Sequence, residues 1–162
     1  KALFTTAHGY TSSQALVDSS DEKSPRRGRA AAINIVPTTT GASETVVETI
    51  PELKGKINGL ALRVPVVDGS IVDIVAELKK PFDIKKINAA FKNASKKELK
   101  GILEYSEEEL VSADIIGNPH SAVFDSKLTE AEGNLVKVLA WYDNEYGYSC
   151  RVVDVIKLLG RK

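Results

Sequence analysis

The dipeptide Asp68-Gly69 constrains this chain more than any other feature. It separates two apolar runs of strand length, Gly59 to Val67 and Ser70 to Leu78. Asp-Gly suits a tight two-residue turn, whose central positions need a positive φ. The pattern predicts that the two runs are neighbouring strands of a hairpin, so the fold must contain a sheet.

Other segments extend that sheet. Ala2 to His8 is rich in Phe and Thr, which favour strands. Ala30 to Val36, a short stretch within Lys100 to Val111, Ser121 to Phe124 and Leu135 to Tyr142 read as further strands. Pro37 to Gly41 reads as a turn. Val46, Val47 and Ile50 give the segment from Ala42 to about Pro51 helical spacing. Asp83 to Ser95 carries Ile84, Ile87, Ala90, Phe91 and Ala94 at the same spacing, with Asp83 placed as N-cap. Tyr148 to Leu159 is amphipathic, with Lys157, Arg161 and Lys162 near its end, where cations complement the helix dipole. Gly9 to Gly28 is a long polar loop closed by Arg26, Arg27 and Arg29; loops of that length inside a domain are usually functional or disordered.

Strands outnumber helices, so the predicted class is α+β: a mainly antiparallel or mixed sheet with helices on one face. The alternating strand–helix pattern of a dinucleotide fold and its Gly-x-Gly-x-x-Gly turn are missing. A chain of 162 residues fits one compact domain. Lys+Arg and Asp+Glu both number 22, giving zero formal charge. That balance argues against general binding to nucleic acid or anionic membranes. No apolar run approaches the roughly 20 residues of a membrane span. Cys150 is the single cysteine, so an internal disulfide and a cysteine metal cluster are both impossible. This fits a reducing compartment, and cytoplasmic residence is expected. The sequence lacks methionine and opens directly in a strand-like run, which predicts a piece of a longer protein.

Few residues offer chemistry. His8 sits where a rigid strand meets the long loop, and an imidazole titrating near neutrality can exchange a proton with a nucleophile. By position alone, a hydrogen-bonded structural histidine is the commoner outcome. His120, in Asn118-Pro119-His120-Ser121, reads as turn chemistry. Thr38-Thr39-Thr40-Gly41 precedes a helix, where free N–H groups bind anions, although by position alone an ordinary cap run is the better reading. Arg27 and Arg63 are candidate phosphate ligands; Arg63 lies inside an apolar strand and needs a partner, either a carboxylate or a phosphate. Tyr142-Asp143-Asn144-Glu145-Tyr146-Gly147-Tyr148 is either a helix start capped by Asp143 or Asn144, or a place for a planar ligand. Cys150 follows it and reads as a buried structural thiol.

Eight segments in order resemble the glyceraldehyde-3-phosphate dehydrogenase family: residues 5–11, 26–30, 37–42, 51–56, 62–65, 99–103, 118–121 and 141–149. Among them are Thr5-Thr6-Ala7-His8-Gly9-Tyr10-Thr11, Thr38-Thr39-Thr40-Gly41 and Trp141-Tyr142-Asp143-Asn144-Glu145-Tyr146-Gly147-Tyr148. The resemblance covers nearly the whole chain and implies its catalytic domain, as a fragment. It implies that His8 is the base that activates a catalytic cysteine, and that Thr11, Arg27 and Arg63 hold the phosphate of glyceraldehyde 3-phosphate. It further implies that Thr40 and Gly41 hold inorganic phosphate, and that Asn144 and Tyr148 seat the nicotinamide of NAD. The long loop resembles one that lies at a subunit interface of a homotetramer.

By the same resemblance, the nucleophilic cysteine and the nucleotide-binding domain belong to a segment upstream of Lys1, so the fragment alone should be inactive. Many members have Asp where this chain has Ser13 and Lys where it has Glu44. Ser19-Ser20 stands where NAD-dependent members commonly have Leu-Pro, which leaves NADP use open. The rival readings are an erythrose-4-phosphate dehydrogenase-like domain, disfavoured by the intact Thr38-Thr39-Thr40-Gly41 run, and a non-catalytic interaction module.

Overall fold

The computed structural model describes residues 1–22 and 24–160. Arg161 and Lys162, two of the basic residues expected at the end of the last helix, lie outside the described residues. Seven strands form one mixed sheet: β1 (Ala2–Gly9), β2 (Val36–Thr38), β3 (Ile57–Val64), β4 (Ser70–Glu77), β5 (Leu103–Ser106), β6 (Ala122–Glu132) and β7 (Leu135–Tyr142). Their order is β2-β3-β1-β4-β7-β6-β5. Three helices accompany it: α1 (Ala42–Thr49), α2 (Ile84–Lys96) and α3 (Tyr146–Leu159). The α+β class expected from the sequence is the one found.

The predicted hairpin is not. β1 lies between β3 and β4, parallel to β3 and antiparallel to β4. Strands two places apart are separated by roughly 10 Å, which a two-residue turn cannot span. Residues 65–69 make the crossing instead, and Tyr10 N–H donates to Val66 O (3.1 Å) where the connection passes the end of β1. Gly69 still adopts a positive φ of 88°. The local conformation was therefore readable, but the strand pairing was not.

Three further boundaries differ. Ala30 to Val36 is not a strand: Ala31–Ile33 form a 3₁₀ turn, and β2 begins at Val36 and takes in Pro37 and Thr38, expected as a turn. Ile33 is 79% exposed, so its apolar character does not report a core strand here. Pro37 is tolerated because β2 is the edge of the sheet. β6 runs eight residues past Phe124, turning at Gly133-Asn134 into β7. Its outer half alternates charged and small residues, which hid it. α3 starts at Tyr146, two residues early, because Asp143 Oδ1 accepts the N–H groups of Glu145 (2.8 Å) and Tyr146 (2.6 Å).

The best-packed core lies under α2. Phe91 of α2 stacks on Phe124 of β6 with ring centroids 4.0 Å apart, and Tyr105 of β5 lies on the same ring. Phe124 is 1% exposed. Asp83 caps α2 as expected, accepting from Lys86 N–H at 2.8 Å. Around β1, inside the sheet, one face stays open: Leu3 is 68% exposed while its neighbour Phe4, pointing the opposite way, is buried. Among the described residues no helix is long and apolar enough to cross a membrane.

Candidate active site

The parallel pairing of β1 with β3 sets His8 beside Arg63 in register. His8 Nδ1 lies 2.6 Å from Gly9 O and 3.0 Å from Arg63 Nη1, which itself lies 3.2 Å from Gly9 O. A guanidinium only donates, so Nδ1 cannot both accept from Arg63 and donate to the carbonyl. The 2.6 Å approach to an oxygen requires a proton on Nδ1. Nδ1–H and Arg63 then share Gly9 O as acceptor, and Nε2 keeps its lone pair. Burial pulls the His8 pKa below 6.5 and the Arg63 charge adds to the effect, against the opposing Gly9 bond and the acidic Glu145 and Asp68. The imidazole is therefore neutral at neutral pH.

Arg63 has no carboxylate partner among the described residues, and its buried Nε bonds to nothing there. Burial lowers its pKa; the Tyr142 phenol opposes this, and the nearby Arg27 cation adds to it. Two guanidinium groups near each other, with no ion-pair partner among the described residues, make a receptive place for an anion. Tyr142, the last residue of β7, sets its ring edge-on to the His8 imidazole at 6.0 Å.

Past Tyr142 the chain enters α3 through Asp143 and Asn144. Burial would raise the Asp143 carboxyl, but N–H groups of Gly117, Tyr146 and Glu145 hold it below the usual carboxylate range. Asn144 Oδ1 accepts from the Ser70 hydroxyl at 2.7 Å, and its buried Nδ2 has no partner among the described residues. A nicotinamide carboxamide oxygen is the kind of acceptor that such an orphaned donor fits. Asn144, Tyr142, His8 and the 71% exposed Tyr148 line one cleft of about 300 Å³, with Arg151 at its edge. Larger hollows lie elsewhere, one over Leu3, Ile57 and Val75, one beside Glu104 and Glu107 to Glu109, and one beside Cys150, Val153 and Lys157.

Thr11, Arg27, Thr40, Gly41 and Arg63 do not line this cleft; Arg63 reaches it only through His8. Thr11 Oγ1 lies 3.0 Å from Ser13 Oγ, which Gln14 Nε2 also reaches (2.7 Å). Ser13 thus closes a small polar knot, and Arg27 is held through its backbone, where its carbonyl accepts from Ala15 N–H. Thr40 Oγ1 accepts from Ala42 N–H (3.2 Å) at the start of α1, and a Cβ at Gly41 would meet nothing within 4 Å. His120 bonds Asn118 and Glu104, in keeping with a turn role. Cys150 is half-buried rather than buried. Sequence reasoning missed Ser70 and Arg151; neither sits in a motif with chemical meaning.

A sequence model described as glyceraldehyde 3-phosphate dehydrogenase, C-terminal domain, matches residues 1–144. The chain belongs to the glyceraldehyde-3-phosphate dehydrogenase family. It is 53% identical over 161 residues to the glyceraldehyde-3-phosphate dehydrogenase of Mycobacterium avium, covering 99% of this chain and 47% of that protein. With glyceraldehyde-3-phosphate dehydrogenase 2 of Trichormus variabilis it shares 53% over 163 residues, covering 100% and 48%. With the Mycobacterium leprae enzyme it shares 49% over 161 residues, covering 99% and 47%. The chain thus spans about half the length of the curated relatives it matches. The names of these relatives mark the family as one of oxidoreductases.

Proposed function

We propose that this chain is the substrate-binding half of a phosphorylating glyceraldehyde-3-phosphate dehydrogenase of glycolysis. The full protein would convert glyceraldehyde 3-phosphate, phosphate and NAD to 1,3-bisphosphoglycerate and NADH. The reaction passes through a thioester on a cysteine supplied by the part of the protein that this chain does not cover. The observation that carries this reading is the His8–Arg63 pair: one residue offers a free Nε2 lone pair, and the other offers a cation without a counter-ion.

His8 Nε2 takes the proton of the attacking thiol, leaving an imidazolium that stabilises the thiolate. As the thiolate adds to the aldehyde, the imidazolium gives that proton to the carbonyl oxygen, and the neutral His8 then accepts the hydroxyl proton of the adduct as hydride departs. Nicotinamide, when bound, supplies the hydride acceptor. Arg63 and Arg27 hold the phosphate of the triose with Thr11, and Thr40 and Gly41 hold the attacking phosphate at the start of α1. Asn144 Nδ2 donates to the nicotinamide carboxamide, and Tyr148 packs beside that ring. NAD is the cofactor proposed, with most of its binding site in the other half; Ser19-Ser20 leaves NADP open as the alternative. The open sheet face around Leu3 supports assembly, as a homotetramer when the protein is complete. The cytoplasm is its proposed location.

In the full-length protein, His8→Asn should cut turnover by about two to four orders of magnitude. A loss below threefold overturns the base assignment. The chain alone should make no NADH from glyceraldehyde 3-phosphate, and measurable production refutes the division of labour.

A further inference from the structure

We propose that Ser70 is a positioning residue for the cofactor seat: its hydroxyl decides which end of the Asn144 amide faces the cleft. The inference rests on the reading of Asn144 as the nicotinamide ligand.

Ser70 opens β4 and is 1% exposed. The β1–β4 ladder ends at the pair Ala7–Ile71. Beyond it, Gly9 N–H donates to the Ser70 side chain (3.2 Å). A hydroxyl that accepts one bond still has its own proton to place. Asn144 Oδ1 lies 2.7 Å away and takes it. The chain of donors therefore runs one way, from Gly9 N–H through Ser70 to Asn144 Oδ1, and bonds aligned in this manner strengthen one another.

An asparagine amide has an acceptor end and a donor end of nearly equal shape. With Oδ1 fixed on Ser70, Nδ2 is the end left for the cleft, and it is buried without a partner among the described residues. Flipping the amide would set Nδ2 against the Ser70 oxygen, turn the hydroxyl proton to the Tyr142 phenol oxygen instead, and present an oxygen to the carboxamide oxygen. The Tyr142 phenol faces both Ser70 and Thr6, so the discriminating test must separate Asn144 from Tyr142. Ser70 touches no reacting atom. It also links the strand end that carries His8 to the residue that would seat the cofactor: a Cβ on Gly9 would stand 3.6 Å from Asn144 Oδ1.

The test uses Ser70→Ala and the nearly isosteric Ser70→Cys in the full-length gene product, with Ser70→Thr as the variant that keeps the hydroxyl. NAD KM should rise about five- to twentyfold in the first two variants, in line with the loss of one buried hydrogen bond. KM for glyceraldehyde 3-phosphate and for phosphate should stay within twofold, and Ser70→Thr should recover most of the NAD effect. The Ser70→Ala effect should vanish in an Asn144→Ala background and persist in Tyr142→Phe. Nuclear Overhauser contacts of the Asn144 amide protons should run to the cleft side in the parent and to both sides in Ser70→Ala. An amide that keeps its single orientation in Ser70→Ala overturns the proposal. So does an equal rise in all three KM values, or an NAD effect that persists without Asn144. An amide that loses its orientation with no change in NAD KM leaves Ser70 as the orienting group, and overturns the nicotinamide reading of Asn144 and the cofactor role built on it.

Discussion

Arg63 Nη1 stands 3.0 Å from His8 Nδ1, and both donate to the same Gly9 carbonyl. The arginine therefore acts on the histidine as a fixed neighbouring charge that disfavours imidazolium. Replacing it by Met should raise the His8 pKa toward its ordinary value, read as the midpoint of the imidazole proton shift. A midpoint that falls or stays put would show that burial alone sets the value. The sign for stability follows. His8 titrates below 6.5 in the folded chain, so its contribution is present above pH 6.5 and is lost as pH falls through the folded value. His8→Gln should flatten the stability profile just below pH 6.5, measured by denaturant unfolding at a series of pH values.

Asp143 ties three backbone N–H groups from two segments. Asp143→Ala should cost about 2–3 kcal/mol, combining a lost helix cap with an unsatisfied Gly117 N–H. Hydrogen exchange at Tyr146 and Gly117 should accelerate. Because this carboxyl is held below 3.8 in the fold, its contribution is present above pH 3.8 and disappears as pH falls through the lower folded value. An unfolding energy within 0.5 kcal/mol of the parent would remove Asp143 as the anchor of α3.

Gly59 and Gly41 invite opposite outcomes from the same change. A Cβ at Gly59 would press into the Phe4 backbone and stand 2.6 Å from its ring carbons, so Gly59→Ala should lose about 1–3 kcal/mol. At Gly41 the space is open and φ is −82°. Gly41→Ala should hold stability within about 0.5 kcal/mol while raising the KM for inorganic phosphate several-fold in the full-length protein. An unchanged phosphate KM would take Gly41 out of the anion site.

Phe124→Ala should cost about 3–5 kcal/mol, because the cavity would open between the Phe91 and Tyr105 rings. Thermal denaturation of the full-length protein measures it, and a loss under 1 kcal/mol would mean that α2 closes down on the gap.

The sequence was most legible where structure is local. α2 announced itself through its spacing and the Asp83 cap, and β1 through its composition. His8 drew attention because it stands near the end of a strand, and Asn144 because it lies in the polar and aromatic run between β7 and α3. The β3–β4 hairpin misled because a turn residue reports its own φ but says nothing of a strand inserted 55 residues earlier in the chain. The same distance hid the meeting of His8 and Arg63: it exists only through the parallel register, which no short pattern encodes. β6 was half lost because exposed Lys127, Glu130 and Glu132 resemble loop chemistry while their ladder to β7 continues past a register shift. Ser70 left no trace, since a serine at the head of a strand is ordinary until its partners are known.

The central place of β1 also governs the order in which the molecule can assemble. Without β1 the sheet is two unconnected parts, β2–β3 on one side and β4–β7–β6–β5 on the other. Only β6 and β7 are joined by a tight turn and can zip without closing a long loop. β1 precedes both of its partners in the chain, so it has no neighbour to pair with until β3 is made and keeps a raw edge until β4 follows. Folding of this chain should be slow for its size, and a β1 that misses its slot would leave a split sheet open to pairing with other chains.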